Sequence, residues 1–178
     1  PVLDLPQGTV VIDGDPADWG DQGFVVQTLP AAGARVRTAK DFDVVVHVAW
    51  SPEGLLVLAE VADAKLQESG NANELWTGDS IELFVTTGLR QPDFYQAILS
   101  PGVDGKQKAL RQKLYSFHPN RPVAGLAVQS AARKTAKGYA VEALLPWQNL
   151  GVTPAPGLQF GFQILANDQD GREGKRPF

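Results

Sequence analysis

The chain has 178 residues, 43% of them apolar and 20% charged, with a net charge of −4. That length suits one domain with a real core, and a weakly acidic balance without a basic stripe gives no electrostatic footing for nucleic acid. No apolar run approaches a membrane span, and the absence of cysteine excludes disulfides and thiolate metal sites while fitting any redox compartment. The chain has no methionine and opens at Pro1, so it reads as a mature or excised segment of something longer.

Eighteen glycines and 13 prolines fall between short β-like runs, the punctuation of an all-β domain. In chain order the predicted strands are Thr9–Ile12, Phe24–Thr28, Val44–Trp50, Leu55–Val61, Ser80–Thr86, Phe94–Ser100, Ala124–Ala131, Tyr139–Pro146 and Gln159–Asn167. Ser51-Pro52-Glu53-Gly54 suits a tight hairpin turn, and Lys137-Gly138 does the same before Tyr139. The one helical candidate is a short turn, Trp147–Leu150, ended by Gly151. Val44-Val45-Val46 and Leu55-Leu56-Val57-Leu58 put apolar residues on both faces of their strands. With no alternating helices to cover a parallel sheet, the pattern predicts two antiparallel sheets packed face to face, a single sandwich over residues 1–178.

The most informative stretch is Glu74–Val85. From Ser80 it alternates, with Ile81, Leu83 and Val85 pointing one way and Ser80, Glu82 and Phe84 the other. A glutamate in such a strand lies on a solvated face or holds something. Trp76 ends a long polar loop, Asp63 to Thr77, of the kind that gathers ligand contacts at the end of a sandwich. It offers a flat apolar plate with one N–H donor. A plate beside a fixed carboxylate suits a sugar ring, with its apolar C–H face and rim of hydroxyls; a core tryptophan and a solvated glutamate remain the plain alternative on these residues alone. Trp19, Trp50 and Trp147 lie within the β pattern and are assigned to the core.

Asp79 and Glu82, three apart on one strand, face opposite ways and make a poor glycosidase pair, whose carboxyls stand about 5–9 Å apart across one cleft. Glu142, on another strand, is placed either to approach Glu82 or to lie on the surface. Asp13, Asp15 and Asp18, and the loop Asn167-Asp168-Gln169-Asp170-Gly171, are oxygen-rich in the way of calcium loops, and equally in the way of locally capped turns. His47 among valines reads as a satisfied, half-buried side chain, His118 as a loop residue, and the two make no zinc signature. No phosphate loop or nucleophile elbow occurs.

Four motifs, in order along nearly the whole chain, resemble the family 9 carbohydrate-binding modules and the wider DOMON-like group of β-sandwiches, immunoglobulin-like or jelly-roll-like in outline. They are Ile12-Asp13-Gly14-Asp15-Pro16-Ala17-Asp18-Trp19; the hairpin Val48–Val57 leading to Val61-Ala62-Asp63; Trp76-x-x-Asp79-Ser80-x-Glu82; and Gly138-Tyr139-x-Val141-Glu142-Ala143 with Pro146-Trp147, then Gly161-Phe162 leading to Asn167-Asp168. The resemblance implies non-catalytic binding of a sugar or polysaccharide by an appendage of a larger carbohydrate-active or cell-surface protein, secreted, periplasmic or displayed at the cell surface and flanked by neighbouring domains. It implies that Trp76 stacks on a sugar ring, that Glu82 accepts its hydroxyls, and that Gln96 and Asn167 add polar contacts. It also implies a structural calcium ion, with Asp63 and Asp79 contributing.

The chain departs from that pattern in three places. Gln96 and Ile98 stand where sugar-binding members have a basic residue, and Leu165 where they have a hydrogen-bonding amide. The loop and last strand carrying a second stacking tryptophan would follow Arg172, so the resemblance implies a sandwich lacking its last strand and a protein continuing past Phe178. Two further readings follow: a spacer sandwich that has lost its ligand, or a haem-binding DOMON-type domain using His47, His118 or a lysine.

Overall fold

The computed structural model describes residues 6–27, 38–86, 88, 94–102, 111–117, 120–122 and 128–169. Its strands are β1 (Phe24–Gln27), β2 (Phe42–Trp50), β3 (Gly54–Asp63), β4 (Ser80–Thr86), β5 (Phe94–Ser100), β6 (Arg111–Phe117), β7 (Asn120–Pro122), β8 (Gln129–Lys134), β9 (Gly138–Pro146) and β10 (Phe162–Asn167), with one short helix, α1 (Trp147–Leu150). They form two five-stranded sheets, ordered β1-β2-β3-β9-β8 and β10-β4-β5-β6-β7. Every named pair is antiparallel.

The sandwich follows from alternation along each strand. In the first sheet Val44, Val46 and Val48 on β2, Leu55, Val57, Ala59 and Val61 on β3, and Tyr139, Val141, Ala143 and Leu145 on β9 face inward. Ile81, Leu83 and Val85 on β4 with Ala97 and Leu99 on β5 meet them from the second sheet. Each large aliphatic side chain sealed in this way contributes about 1.5–3 kcal/mol. The apolar residues on the opposite face of β3, Leu56 and Leu58, are covered as well. Trp19, at 1% exposure, lies over them with Val10 and Ile12. The N-terminal segment is thus a lid on the outside of the first sheet, which explains strands that are apolar on both faces.

Most predicted strands coincide with observed ones, and β4 and β5 match end to end. Trp147–Leu150 is the expected helical turn. Gly151 ends it at φ 65°, a left-handed conformation that costs glycine little, and donates its N–H to the Gln148 carbonyl at 3.2 Å. Thr9–Ile12 is not a strand. The Thr9 N–H donates to Gln22 Oε1 at 2.8 Å and the Val11 N–H to Asp18 Oδ2 at 2.6 Å, so side chains satisfy a backbone that alternates like a strand. Strands β6 and β7 were not foreseen, and β8 runs to Lys134; residues 124–127 of the predicted strand lie outside the described residues. Among the described residues no helix is long and apolar enough to cross a membrane.

Candidate functional site

Three adjacent strands of the second sheet, β10, β4 and β5, bring Glu82, Gln96 and Asn167 together. Inward-facing Ile81 and Leu83 leave Glu82 on the opposite, outer face. In the ladders Asn167 stands across from Ser80 and Gln96 across from Phe84, so each amide lies diagonal to Glu82, one on each side. The Gln96 Nε2 group donates to Glu82 Oε2 at 2.6 Å, and the Asn167 Nδ2 group to Glu82 Oε1 at 2.7 Å and to Ser80 Oγ at 3.1 Å. A carboxylate here accepts only, so both side chains must present their NH2 ends to it, which leaves their carbonyl oxygens facing away. The anion is therefore fixed by two oriented amides, each a charge-assisted bond.

Glu82 is 3% exposed and Gln96 9%, so the carboxylate is more enclosed than an open strand face suggests. Ile98, directly across from Glu82 on β5, is sealed at 1%. Leu165, directly across on β10, is 37% exposed. Phe84 and Phe94 pack with ring centroids 5.9 Å apart beside this patch.

Trp76 sits in a 3-10 turn, Leu75–Thr77, that packs against β4 and β5 at the head of β4. Leu75 anchors the turn by burial, at 2% exposure, while Trp76 beside it is half-buried. The preceding loop is tied down from several directions. Glu68 Oε2 accepts from Ser100 Oγ at 2.9 Å and from the Gly102 N–H at 2.8 Å, binding the loop to the end of β5. The Asp79 N–H donates to the Gln67 carbonyl at 3.0 Å. Gly78 passes so close to Ser69 that a Cβ there would lie 2.1 Å from the Ser69 nitrogen. This position admits no side chain, and the close approach sets where Trp76 stands.

At the same end of the sandwich Asp63 (last residue of β3), Asp79 (just before β4) and Asp168 (just after β10) each bring a carboxylate oxygen within 4.8 Å of the others. Asp63 comes from the first sheet and the other two from the second. Asp79, at 0% exposure, accepts backbone N–H groups from Gln67 and, at 2.7 Å, from Gln169. Burial pushes its pKa up to about 8; these two donors oppose the rise and the charge of Asp63 adds to it. Asp63 Oδ1 accepts the Lys65 N–H at 2.7 Å, while among the described residues the buried Oδ2 has no hydrogen-bond partner outside the acid cluster, where a protonated Asp79 can donate to Asp63. Among the described residues the hydroxyl of Tyr139, fully buried on β9, has no hydrogen-bond partner either; burial holds its pKa well above the ordinary value, and the charges of Asp79, Asp63 and Asp168 raise it further.

This set fits calcium. The donors are hard carboxylate oxygens, and oxygens sharing one calcium at about 2.3–2.6 Å lie no more than about 5 Å apart. A cation here would satisfy Asp63 Oδ2 and relieve the repulsion among three carboxylates. The expected pair Asp63 and Asp79 does come together. Asp168 completes the cluster, and the signal for it lay in the oxygen-rich loop that begins at Asn167.

Asp13, Asp15 and Asp18 are locally spent, and Asp170 lies outside the described residues. Asp15 accepts the Ala17 N–H at 3.1 Å and pairs with Arg133 at 2.5 Å, Asp13 accepts the Asp15 N–H at 2.8 Å, and Asp18 caps Val11. Glu142 does not approach Glu82. It stands on the outer face of the first sheet, at 0% exposure, and accepts from Trp19 Nε1 at 2.6 Å and from the Gly14 and Asp13 N–H groups at 2.5 and 2.9 Å. His47 is half-buried, with Nδ1 3.2 Å from the Gln22 carbonyl and its ring edge-on to Trp19. His118 lies outside the described residues. Trp19 and Trp147 are core residues and Trp50 is partly buried against the core, as expected. A shallow cleft of about 710 Å³ opens beside Lys40, Asp43, Ala62, Thr135 and Lys137 and reaches Asp63 of the acid cluster, and its described lining has no aromatic plate.

A family model described as "Carbohydrate family 9 binding domain-like" matches residues 12–177. The chain is similar to endo-1,4-beta-xylanase A of Thermotoga neapolitana, 29% identical over 169 residues, and to endo-1,4-beta-xylanase C of Paenibacillus barcinonensis, 30% identical over 171 residues. These alignments cover 95% of this chain but 15% and 14% of those xylanases, so the chain spans about one-seventh of their length. Its fold is similar to that of a family 9 carbohydrate binding module from Caldicellulosiruptor kristjanssonii, solved with cellotriose and with glucose: TM-score 0.66 and 23% identity, over 94% of this chain and 76% or 78% of that one. A match that begins in the Ile12-Asp13-Gly14 turn and runs on beyond β10 places this chain in the carbohydrate family 9 binding domain-like family, as a non-catalytic carbohydrate-binding module.

Proposed function

We propose that the outer face of β10, β4 and β5 is where this module holds its sugar. Trp76 supplies the stacking plate, Glu82 accepts two hydroxyls, and Gln96 and Asn167 fix the carboxylate while offering their carbonyl oxygens to further hydroxyls. The observation that carries this reading is the Glu82 carboxylate held between two amides on neighbouring strands, with donor distances of 2.6 and 2.7 Å. A surface glutamate needs no such cradle. A pre-oriented acceptor loses little freedom when a ligand arrives, and preorganisation of this kind favours tight binding. The solved relatives with cellotriose and glucose support a glucose-type sugar, and the xylanase relatives support plant-wall polysaccharide as its source.

In the same reading the module is one part of a larger carbohydrate-active protein acting outside the cytoplasm, and Asp63, Asp79 and Asp168 hold a structural calcium ion. The spacer alternative draws on Ile98 and Leu165, which face Glu82 from either side with no polar group. Titration of cellotriose and xylotriose, followed by tryptophan fluorescence, separates the two. Wild-type protein is expected to bind at least one of them, and Trp76→Ala to lose most of that affinity with the fold intact. Equal affinity in both proteins removes Trp76 from the site, and no binding by either favours the spacer.

A further inference from the structure

Resting on that reading of the sugar site, we propose that Asp63, Asp79 and Asp168, gathered on one divalent cation, position Glu82 and Asn167, so that calcium and sugar bind cooperatively. Two short segments carry both sites. Asp79 directly precedes Ser80, and Asp168 directly follows Asn167. Ser80 and Asn167 are register partners across β4 and β10, joined side chain to side chain at 3.1 Å. On one side of this junction Asn167 donates to Glu82 at 2.7 Å; on the other the Gln169 N–H donates to Asp79 at 2.7 Å. On β10 a single peptide unit separates Asn167 from the acid cluster, and on β4 Glu82 stands three residues beyond Asp79.

The mechanics favour coupling over mere adjacency. Among the described residues β10 pairs with β4 alone, so the register of its last residues depends on that one ladder. Without a cation, like charge among the three acids favours moving Asp168 away from Asp63 and Asp79. Displacing Asp168 by about 1 Å carries Asn167 with it, and a 2.7 Å hydrogen bond does not survive that. Asp63 belongs to the other sheet; among the described residues its Oδ2 has no partner outside the acid cluster and the buried Tyr139 hydroxyl beside the cluster has none, so the position is short of polar partners in the way of a site that takes a cation. With the three acids drawn together, β10 is held against β4 and Asn167 is held on Glu82.

The test is a pair of titrations with one independent readout. Cellotriose and xylotriose are titrated calorimetrically into protein in calcium buffer and in EGTA, and calcium chloride into stripped protein with and without saturating sugar. Sugar affinity is expected to fall in EGTA by about 5- to 100-fold, and sugar to tighten calcium by the same factor, since coupling is reciprocal. Without sugar, calcium is expected to slow amide hydrogen exchange across residues 80–84 and 163–168. Asp168→Asn and Asp63→Asn, each checked for folding by circular dichroism, are expected to bind sugar in calcium no better than wild type does in EGTA. Equal sugar affinity in both buffers overturns the coupling alone, as does stripped protein that binds no calcium. Binding of neither sugar in either buffer overturns the sugar reading, and the coupling with it.

Discussion

Glu82 is an anion held almost out of water by two neutral amides, and that arrangement predicts its own sensitivity. In Glu82→Gln the new NH2 must face the NH2 of Gln96 or of Asn167, both of which are directed at the carboxylate. One amide is forced to turn or to lose its partner, and the charged acceptor for sugar hydroxyls is gone. Hydrogen bonds to a charged group contribute about 1.5–3 kcal/mol, so sugar affinity should fall about 10- to 100-fold, as measured by calorimetry, with near-native circular dichroism. Much of this cradle was legible in the sequence. Period-two alternation put Glu82 opposite Ile81 and Leu83, and the family resemblance brought in Gln96 and Asn167. What alternation could not give was enclosure, because it assigns a face without saying what else lies on it. Hence the 3% exposure of Glu82 and the sealed Ile98 beside it were not foreseen.

At the scale of elements, the N-terminal segment shows how side chains can stand in for a strand partner. Glu142 receives the Trp19 indole and the Gly14 and Asp13 N–H groups, and so latches this segment to the outside of the first sheet. Burial raises the Glu142 pKa above the ordinary value, with the three donors opposing. Between the ordinary and the raised value the folded chain keeps a proton that the unfolded chain has lost. The Glu142 contribution to stability therefore falls as pH rises through that window and is level below it. Urea unfolding across a pH series should show this slope reduced in Glu142→Gln. The variant should also be less stable at neutral pH by about 1–3 kcal/mol, since glutamine cannot accept from all three donors. Elements with strong alternation and turn punctuation, β2 through β5 and β9, were readable. Thr9–Ile12 misled because Gln22 and Asp18 replace the ladder, while Arg111–Phe117 and Asn120–Pro122 were missed because their charges and proline mask a strand signal.

For the whole molecule, the acid cluster is a joint between the sheets, with Asp63 on one side and Asp79 and Asp168 on the other. Binding to the folded state alone stabilises by mass action, about 2.7 kcal/mol at a calcium concentration 100 times its Kd. The melting temperature should accordingly drop on chelation and return when calcium is restored; a melting curve indifferent to both removes the ion from the account. The sandwich itself was legible in the sequence, since the composition admits few other ways to cover both faces of β3. Asp168 was legible only as part of an oxygen-rich loop; its meeting with Asp63 was not, because that comes about only through pairing between residues far apart in the chain. The central claim is the location of the sugar, and two-dimensional NMR mapping with unlabelled cellotriose and xylotriose tests it most directly. We predict that the backbone amides of residues 80–84, 95–98 and 165–168 and the Trp76 indole N–H shift together on titration; shifts confined instead to the cleft beside Lys40, Asp43 and Lys137 would contradict it.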